Sequence, residues 1–303
     1  MGLIPYDDRD GLIWMDGELV EWRSAKMHIC SHSLHYASAV FEGERAYGGT
    51  VFKLREHSER LIQSAKTLDI PLKYTPEEVD EITMAAVRAN NIVDGYVRPI
   101  VWRGAEQMGV AARGATVHFA VACWEWPAYF GDEAIKKGIS LKTASWKRPS
   151  PETAPVHAKA AGLYMIATLS KHEAEREGFS DALMHDWRGQ VAECTGANVF
   201  VIKDGVIHTP IPDCFLDGIT RRTVMEIARA RGIEVIERVI MPDELHDADE
   251  IFVTGTAAEV TPVGRIDDRP YKVGEITMAL RDAYLKLVNL PEDQQVIEMV
   301  AAE

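Results

Sequence analysis

Short apolar runs separated by glycine-bearing turns dominate the first half of the chain, and runs with helical spacing become frequent in the second. Leu12-Ile13-Trp14-Met15 and Glu18-Leu19-Val20 flank Asp16-Gly17. Two turn residues with positive φ match the twist of paired strands, so this segment predicts a hairpin closed by a type I′ turn. Arg45-Ala46-Tyr47, Gly48-Gly49 and Val51-Phe52 predict a second hairpin. Leu54, Leu61, Ile62, Ala65 and Leu68 share one face of a helix. Thr75, Pro76 and Glu78 open another, with Thr75 as N-cap, proline where no amide is needed, and the glutamate closing a capping box. Strands follow near Tyr96 to Trp102 and Val117 to Trp124.

The segment from Pro127 to Gly138 has little periodicity and marks a boundary. Beyond it the pattern predicts a strand near Ile139 to Ala144, a long helix from about Ala160 to Glu177 and a strand from Ala182 to His185. Two strands form a hairpin around Lys203-Asp204-Gly205, and helices span about Ile219 to Arg231 and Glu275 to Val288. There is no internal repeat. Mixed strands and helices in two segments argue for an α+β or mixed α/β fold with catalytic groups between the halves. The expected division is a small N-terminal α/β domain over residues 1–128, a linker at 129–137 and a larger C-terminal domain over 138–303.

At 303 residues, 47% hydrophobic and 26% charged, the chain has the composition of a globular protein able to bury a sizeable core. Its formal net charge of −14 repels phosphate backbones and anionic lipid, which argues against nucleic acid and membranes as partners. The N-terminus lacks a basic segment followed by an apolar run, and no stretch reaches membrane-spanning length. Cys30, Cys123, Cys194 and Cys214 form no close pair, which fits reduced thiols and a cytoplasmic location.

The chemistry concentrates in His157-Ala158-Lys159-Ala160-Ala161-Gly162-Leu163-Tyr164, read with Glu193-Cys194-Thr195-Gly196-Ala197-Asn198. One amine stands among small residues that leave room for a bulky partner, with a phenol five positions on and a carboxylate in a turn-forming loop. Desolvation helps a lysine lose its proton, and an unprotonated amine can attack a carbonyl. Cys194 lies inside the glutamate loop; a small residue packing beside the site explains it better than a nucleophile does.

Together with Leu216-Asp217-Gly218-Ile219-Thr220-Arg221 and Thr254-Gly255-Thr256-Ala257-Ala258-Glu259-Val260-Thr261-Pro262, these strings resemble the branched-chain aminotransferases, pyridoxal-phosphate enzymes of fold type IV. The N-terminal half agrees through Leu34-His35-Tyr36, Phe41-Glu42-Gly43, Glu56-His57-Ser58-Glu59-Arg60-Leu61, Tyr96-Val97-Arg98-Pro99 and Trp126-Pro127-Ala128-Tyr129. The resemblance runs in consistent order from about Trp14 to about Leu287.

The resemblance implies pyridoxal 5′-phosphate as cofactor, bound by the C-terminal domain, and transamination of leucine, isoleucine or valine with 2-oxoglutarate. It assigns the Schiff base to Lys159, the pyridine nitrogen to Glu193 and the phenolic oxygen to Tyr164. Ile219 and Thr220, at a helix start suited to anions, hold the phosphate with Arg60 and Thr256. Tyr36, Phe41, Val110, Tyr129 and Tyr164 wall the side-chain pocket, Tyr96 with Thr256 and Ala257 meets the α-carboxylate, and Arg98 takes a second carboxylate. The resemblance further implies that Tyr36 and Val110 reach a neighbouring subunit's site, and hence a homo-oligomer, a dimer at least and up to a hexamer.

Other readings compete with these assignments. Taken alone, Arg60 reads as an exposed helix charge paired with Glu56 one turn earlier, Thr220 is ordinary at a helix start, and the aromatic set would serve as core. Glu44 stands where the family leads one to expect an apolar residue, and turned inward it would disfavour carboxylate substrates. Relatives of the same fold act on D-amino acids or (R)-amines or as aminodeoxychorismate lyases. His28, His32 and His35, at i, i+4 and i+7, would line one helical face in a metal-binding protein, but Met27 to Tyr36 lacks helical periodicity; no metal site is assigned. A non-catalytic binding protein leaves the lysine, tyrosine and glutamate set unexplained.

Overall fold

A computed structural model describes residues 4–126 and 130–301. Contacts group the chain into two compact units, Met1–Pro127 with Ala158–Gly162, and Ala128–His157 with Leu163–Glu303.

The first unit contains β1 (Leu12–Met15), β2 (Glu18–Glu21), α1 (His32–Tyr36), β3 (Ala39–Phe41), β4 (Glu44–Tyr47), β5 (Thr50–Val51), α2 (Leu54–Thr67), α3 (Pro76–Ala89), β6 (Gly95–Arg103) and β7 (Val117–Glu125). Its strands form one antiparallel sheet in the order β2-β1-β7-β6-β4-β5, with β3 also on β6. Both expected hairpins form; Asp16 and Gly17 take φ of 53° and 115°, as a primed turn requires. The Thr75 capping box is present.

Alternation along the strands gives the sheet two different faces. Val40, Ala46, Val97, Val101, Phe119 and Val121 pack with Leu61 and Ala65 of α2 and Val79, Ala86 and Val87 of α3. The opposite face carries Ala39, Trp102 and Ala120, with Ile100 and Ala161 against them. Tyr96 and Arg98 share that second face, because they alternate with Val97.

The second unit holds α4 (Asp132–Lys137), β8 (Ile139–Thr143), α5 (Tyr164–Arg176), β9 (Asp181–His185), β10 (Val191–Cys194), β11 (Asn198–Lys203), β12 (Val206–Thr209), α6 (Ile219–Ala230), β13 (Val235–Glu237), β14 (Glu250–Gly255), β15 (Glu259–Ile266), β16 (Arg269–Pro270), α7 (Glu275–Val288) and α8 (Glu298–Ala301). Six strands close on themselves in the order β10-β9-β8-β15-β14-β11, because β10 and β11 also pair. Leu141, Leu183, Val199, Val253 and Val263 belong to the core of this unit.

Three expectations change. The helix foreseen from Ala160 begins at Tyr164, after a 3-10 turn over Ala161–Leu163. The preceding backbone is engaged elsewhere: the Phe41 N–H donates to the Lys159 carbonyl at 3.1 Å, and Ala160 bridges Val40. Within the expected linker, residues 132–137 form α4, and Phe130 and Ala134 pack on the second core. The stretch from Met27 to Tyr36, non-helical by its periodicity, contains the short helix α1, which ends where Ala37 turns left-handed at φ 54°. No helix among the described residues is long and apolar enough to cross a membrane.

Candidate active site

In the first unit the candidate groups gather on the second face of the sheet. Lys159 is clamped at its backbone, its N–H donating to Ser64 Oγ at 3.0 Å and its carbonyl accepting from Phe41. Its neighbours Ala158 and Ala160 are buried, and a Cβ on Gly162 would stand 3.0 Å from the Ala37 Cβ. Small residues are needed here because the segment lies tightly on the sheet. Lys159 Nζ stands 5.2 Å from the Phe41 ring centre. The Arg98 guanidinium lies 4.7 Å from the same ring and 5.1 Å from that of Tyr96, and it donates to the Tyr96 hydroxyl at 3.1 Å. Arg98 Nε is buried with no hydrogen-bond partner among the described residues. A Cβ on Gly43 would fall 2.1 Å from the Tyr96 hydroxyl, so only glycine lets that hydroxyl rest against the backbone.

Arg60 binds Glu42. Nε and Nη2 donate to the two Glu42 oxygens at 2.7 and 2.8 Å, which sets the plane of the guanidinium. Glu42 is fully buried and its second oxygen lies 2.7 Å from His57 Nδ1. Burial alone would raise the Glu42 pKa, but the Arg60 charge and the bonds to Arg60 and His57 hold it lowered. Burial lowers the His57 pKa despite Glu42, favouring the neutral ring.

Glu44 faces Val97 across the ladder and therefore points to the helix-packed face, away from Tyr96 and Arg98. It turns inward, but not toward Arg98. It is fully buried, and neither carboxyl oxygen has a hydrogen-bond partner among the described residues. Burial raises its pKa well above the ordinary value, with Glu42 and Asp80 adding and Arg60 opposing. Folding therefore takes up a proton there, and stability is lost as pH rises from the unfolded carboxylate range toward the folded pKa. Glu44→Gln should stabilise the protein on the order of 1 kcal/mol or more at neutral and alkaline pH, with the gain vanishing near about pH 4. Urea unfolding across pH checks this; a gain independent of pH would refute the protonated acid.

In the second unit three motifs converge on the strand closure. Glu193 on β10 faces Asn198 on β11, and Arg148 Nε lies 3.3 Å from its carboxylate. Asn198 in turn donates to the Leu216 carbonyl at 3.0 Å and lies so close to Gly218 that a Cβ there would meet it at 2.3 Å. Gly218 is the N-cap of α6 and offers no side-chain cap. The first helical bond runs from Arg222 N–H to the Gly218 carbonyl, so the Ile219 and Thr220 amides have no partner within the helix. Such a terminus suits an anion. Thr256 and Ala257 occupy the turn between β14 and β15, beside the Gly196 loop, whose carbonyl a Cβ on Gly255 would approach to 3.1 Å. Tyr164 is the first residue of α5. Arg221, almost fully buried, binds Asp217, Glu237 and the Pro210 carbonyl and so braces the loop before α6.

The remaining candidates separate clearly. Tyr36 and Val110 are 45% and 81% exposed, so neither is core. Tyr129 lies outside the described residues. Cys194 is buried, which pushes its thiol pKa well up, as a packing residue's would be. The three histidines bind separate groups: His28 Nδ1 accepts from Cys30 N–H, His35 Nε2 meets the Ile29 carbonyl, and His32 lies between Ser38 and Gly109. Among the described residues, Asp186, Asp213 and Cys214 are grouped closely enough to ligate an ion, but Arg188 already bridges the two carboxylates at 2.6 Å each.

Several supporting groups carry no assignment from sequence. Glu42 and Trp126 stand within strings that carry the resemblance, and the Trp126 ring lies 4.6 Å from Tyr96. Arg148 lies outside every string, and only the fold brings it to Glu193.

The sequence and the fold of the chain have counterparts among known proteins. Residues 39–266 match the family described as Amino-transferase class IV, and the chain belongs to that family of enzymes. Within it, the chain is 45% identical to the branched-chain-amino-acid aminotransferase of Pseudomonas aeruginosa, over 93% of this chain and 94% of that protein. It is 39% identical to the Escherichia coli protein of the same name, over 91% of this chain and 92% of that one. Among solved structures, a branched-chain amino acid aminotransferase from T.th. with pyridoxamine 5′-phosphate matches with a TM-score of 0.90 and 42% identity, covering 94% of this chain and 96% of that one.

Proposed function

We propose that the chain transfers the amino group of L-leucine, L-isoleucine or L-valine to 2-oxoglutarate, giving branched 2-oxo acids and L-glutamate, with pyridoxal 5′-phosphate as cofactor. The observation that carries this reading is Arg98 lying between the Phe41 and Tyr96 rings with a buried donor to spare. An apolar wall with a guanidinium held at its edge accepts a branched side chain in one half-reaction and a carboxylate in the other. The relatives' names support the same reading.

The donor set fits the cofactor. When bound, it supplies an aldehyde that takes up an amino group and a pyridine ring that accepts electron density. Lys159 would hold it through its amine and, with that amine free, would carry the proton from the substrate α-carbon to the cofactor carbon that bore the aldehyde. Glu193, partnered by Arg148, would keep a proton on the ring nitrogen, and Tyr164 would donate to the phenolic oxygen. Arg60, the Ile219 and Thr220 amides and Thr256 would hold the phosphate against the chain's negative field. Tyr96 with the Thr256 and Ala257 amides orients the α-carboxylate. Phe41, Tyr129 and Tyr164 complete the wall with Tyr36 and Val110 of a neighbouring copy. Ile29, Leu34, Tyr36, Met108 and Val110 are all exposed in the first unit, an apolar surface that favours at least a dimer and, through further contacts, up to a hexamer. A cytoplasmic location fits the four free cysteines.

Purified protein supplied with the cofactor should absorb in the visible and lose that band on adding L-leucine. Rates with L-leucine, D-alanine and (R)-1-phenylethylamine, measured side by side, decide the substrate class. Faster turnover of either of the last two would overturn the assignment.

A further inference from the structure

The histidine string takes no direct part in this chemistry, yet one member touches both elements that are to meet the neighbouring site. His32 is only 4% exposed. Its Nε2 lies 3.0 Å from the Gly109 carbonyl oxygen, which can only accept, so Nε2 carries a proton and donates it. In the neutral ring Nδ1 then accepts from the Ser38 hydroxyl at 2.6 Å. The imidazole lies 4.6 Å from the Tyr36 ring at an interplanar angle of 31°. Tyr36 in turn donates from its hydroxyl to the Met108 carbonyl at 3.1 Å. The loop is anchored at its base by Arg103 on the Ala112 carbonyl, Glu106 on the Thr116 amide and Gln107 on the Gly114 amide. At the tip, the Met108 and Gly109 carbonyls are the groups held by Tyr36 and His32, immediately before the exposed Val110.

We infer that His32 is a positioning residue for substrate side-chain recognition: it locks Tyr36 and the Val110 loop tip into one rigid element that a branched substrate meets in the partner's site. The inference deepens the proposed function and rests on its assignment of Tyr36 and Val110 to a neighbouring copy. Without the imidazole, Tyr36 loses the ring packed beside it and the Gly109 carbonyl its donor, so the wall is present but loosely placed. Such a change weakens binding of the apolar side chain more than it alters the reacting atoms.

Steady-state kinetics of the cofactor-loaded enzyme test this. His32→Ala should raise KM for L-leucine by about tenfold while kcat stays within about twofold. His32→Gln keeps an N–H donor but no ring and should show a smaller rise, about threefold. A general loss of folded enzyme would lower kcat with KM unchanged, and that result, or an unchanged KM, overturns the inference. Should His32→Ala not fold, the glutamine variant is read in its place.

A hybrid carrying the His32 variant in one chain and Lys159→Ala in the other, isolated with two affinity tags, separates the two ideas. Its one competent site has its lysine on the His32-variant chain and receives an intact loop from the partner, so KM should return to the wild-type value. A KM that stays raised in the hybrid, or failure to recover any hybrid, overturns the sharing of sites between copies. The role of His32 is judged separately by the rise in the parent variant.

Discussion

Lys159→Ala should lower kcat by about 10⁴-fold or more while leaving the fold in place. The expectation follows from how the lysine is held. Its N–H and carbonyl are engaged by Ser64 and Phe41, and its alanine neighbours on both sides are buried against the sheet. Those contacts survive truncation of the side chain, so thermal unfolding should be nearly unchanged and the loss should be chemical. Single-turnover mixing with L-leucine measures the loss. Borohydride treatment of the wild-type enzyme should leave the cofactor attached to the peptide containing Lys159, with no such mass shift in the variant. Retention of a tenth of the wild-type rate would remove Lys159 from the reaction.

Glu193→Gln should cost about 10²- to 10³-fold in kcat, the scale of losing one well-placed electrostatic contact at the reacting centre. It should also destabilise the protein by about 1 kcal/mol, because the nearly buried Arg148 loses the negative charge 3.3 Å from its Nε. The two losses have different causes and can be separated. Adding Arg148→Met removes the stranded cation, so the double variant should recover stability while kcat stays low. If kcat returns with stability, Glu193 serves the fold and not the pyridine nitrogen.

Much of the local structure is legible because it is written in short spans. Asp16-Gly17 and Lys203-Asp204-Gly205 form hairpins at the expected places, and Thr75-Pro76 with Glu78 opens a capped helix. In these cases the turn or cap chemistry acts within a few residues of itself. The same logic misplaces the start of α5, since Ala160 and Ala161 favour helix but Lys159 and Ala160 are bound to the β3 edge more than a hundred positions away in sequence. Propensity yields when a distant strand offers hydrogen bonds. The apolar spacing of α1 is hidden because five residues do not complete two turns.

At the site, motif strings mark the lysine, glutamate, arginines and helix start but not their supports. Glu44 shows the difference: an inward turn is conceivable from sequence, and only the register against Val97 reveals that it faces the helices and not Arg98. Arg148 and His32 act through space on Glu193 and Gly109, and no spacing along the chain announces such pairs.

The sequence alone determined the residue types able to form an amine, an anion and a phosphate cradle, and the turns and periodicities that build each element. These depend on side-chain chemistry and near neighbours. The tertiary structure decided which face of a strand each charge occupies, which carboxyl is paired and which is buried without a partner, and which backbone groups clamp Lys159. Those outcomes depend on register and burial, which arise only when residues far apart in the chain compete for the same space and the same hydrogen bonds.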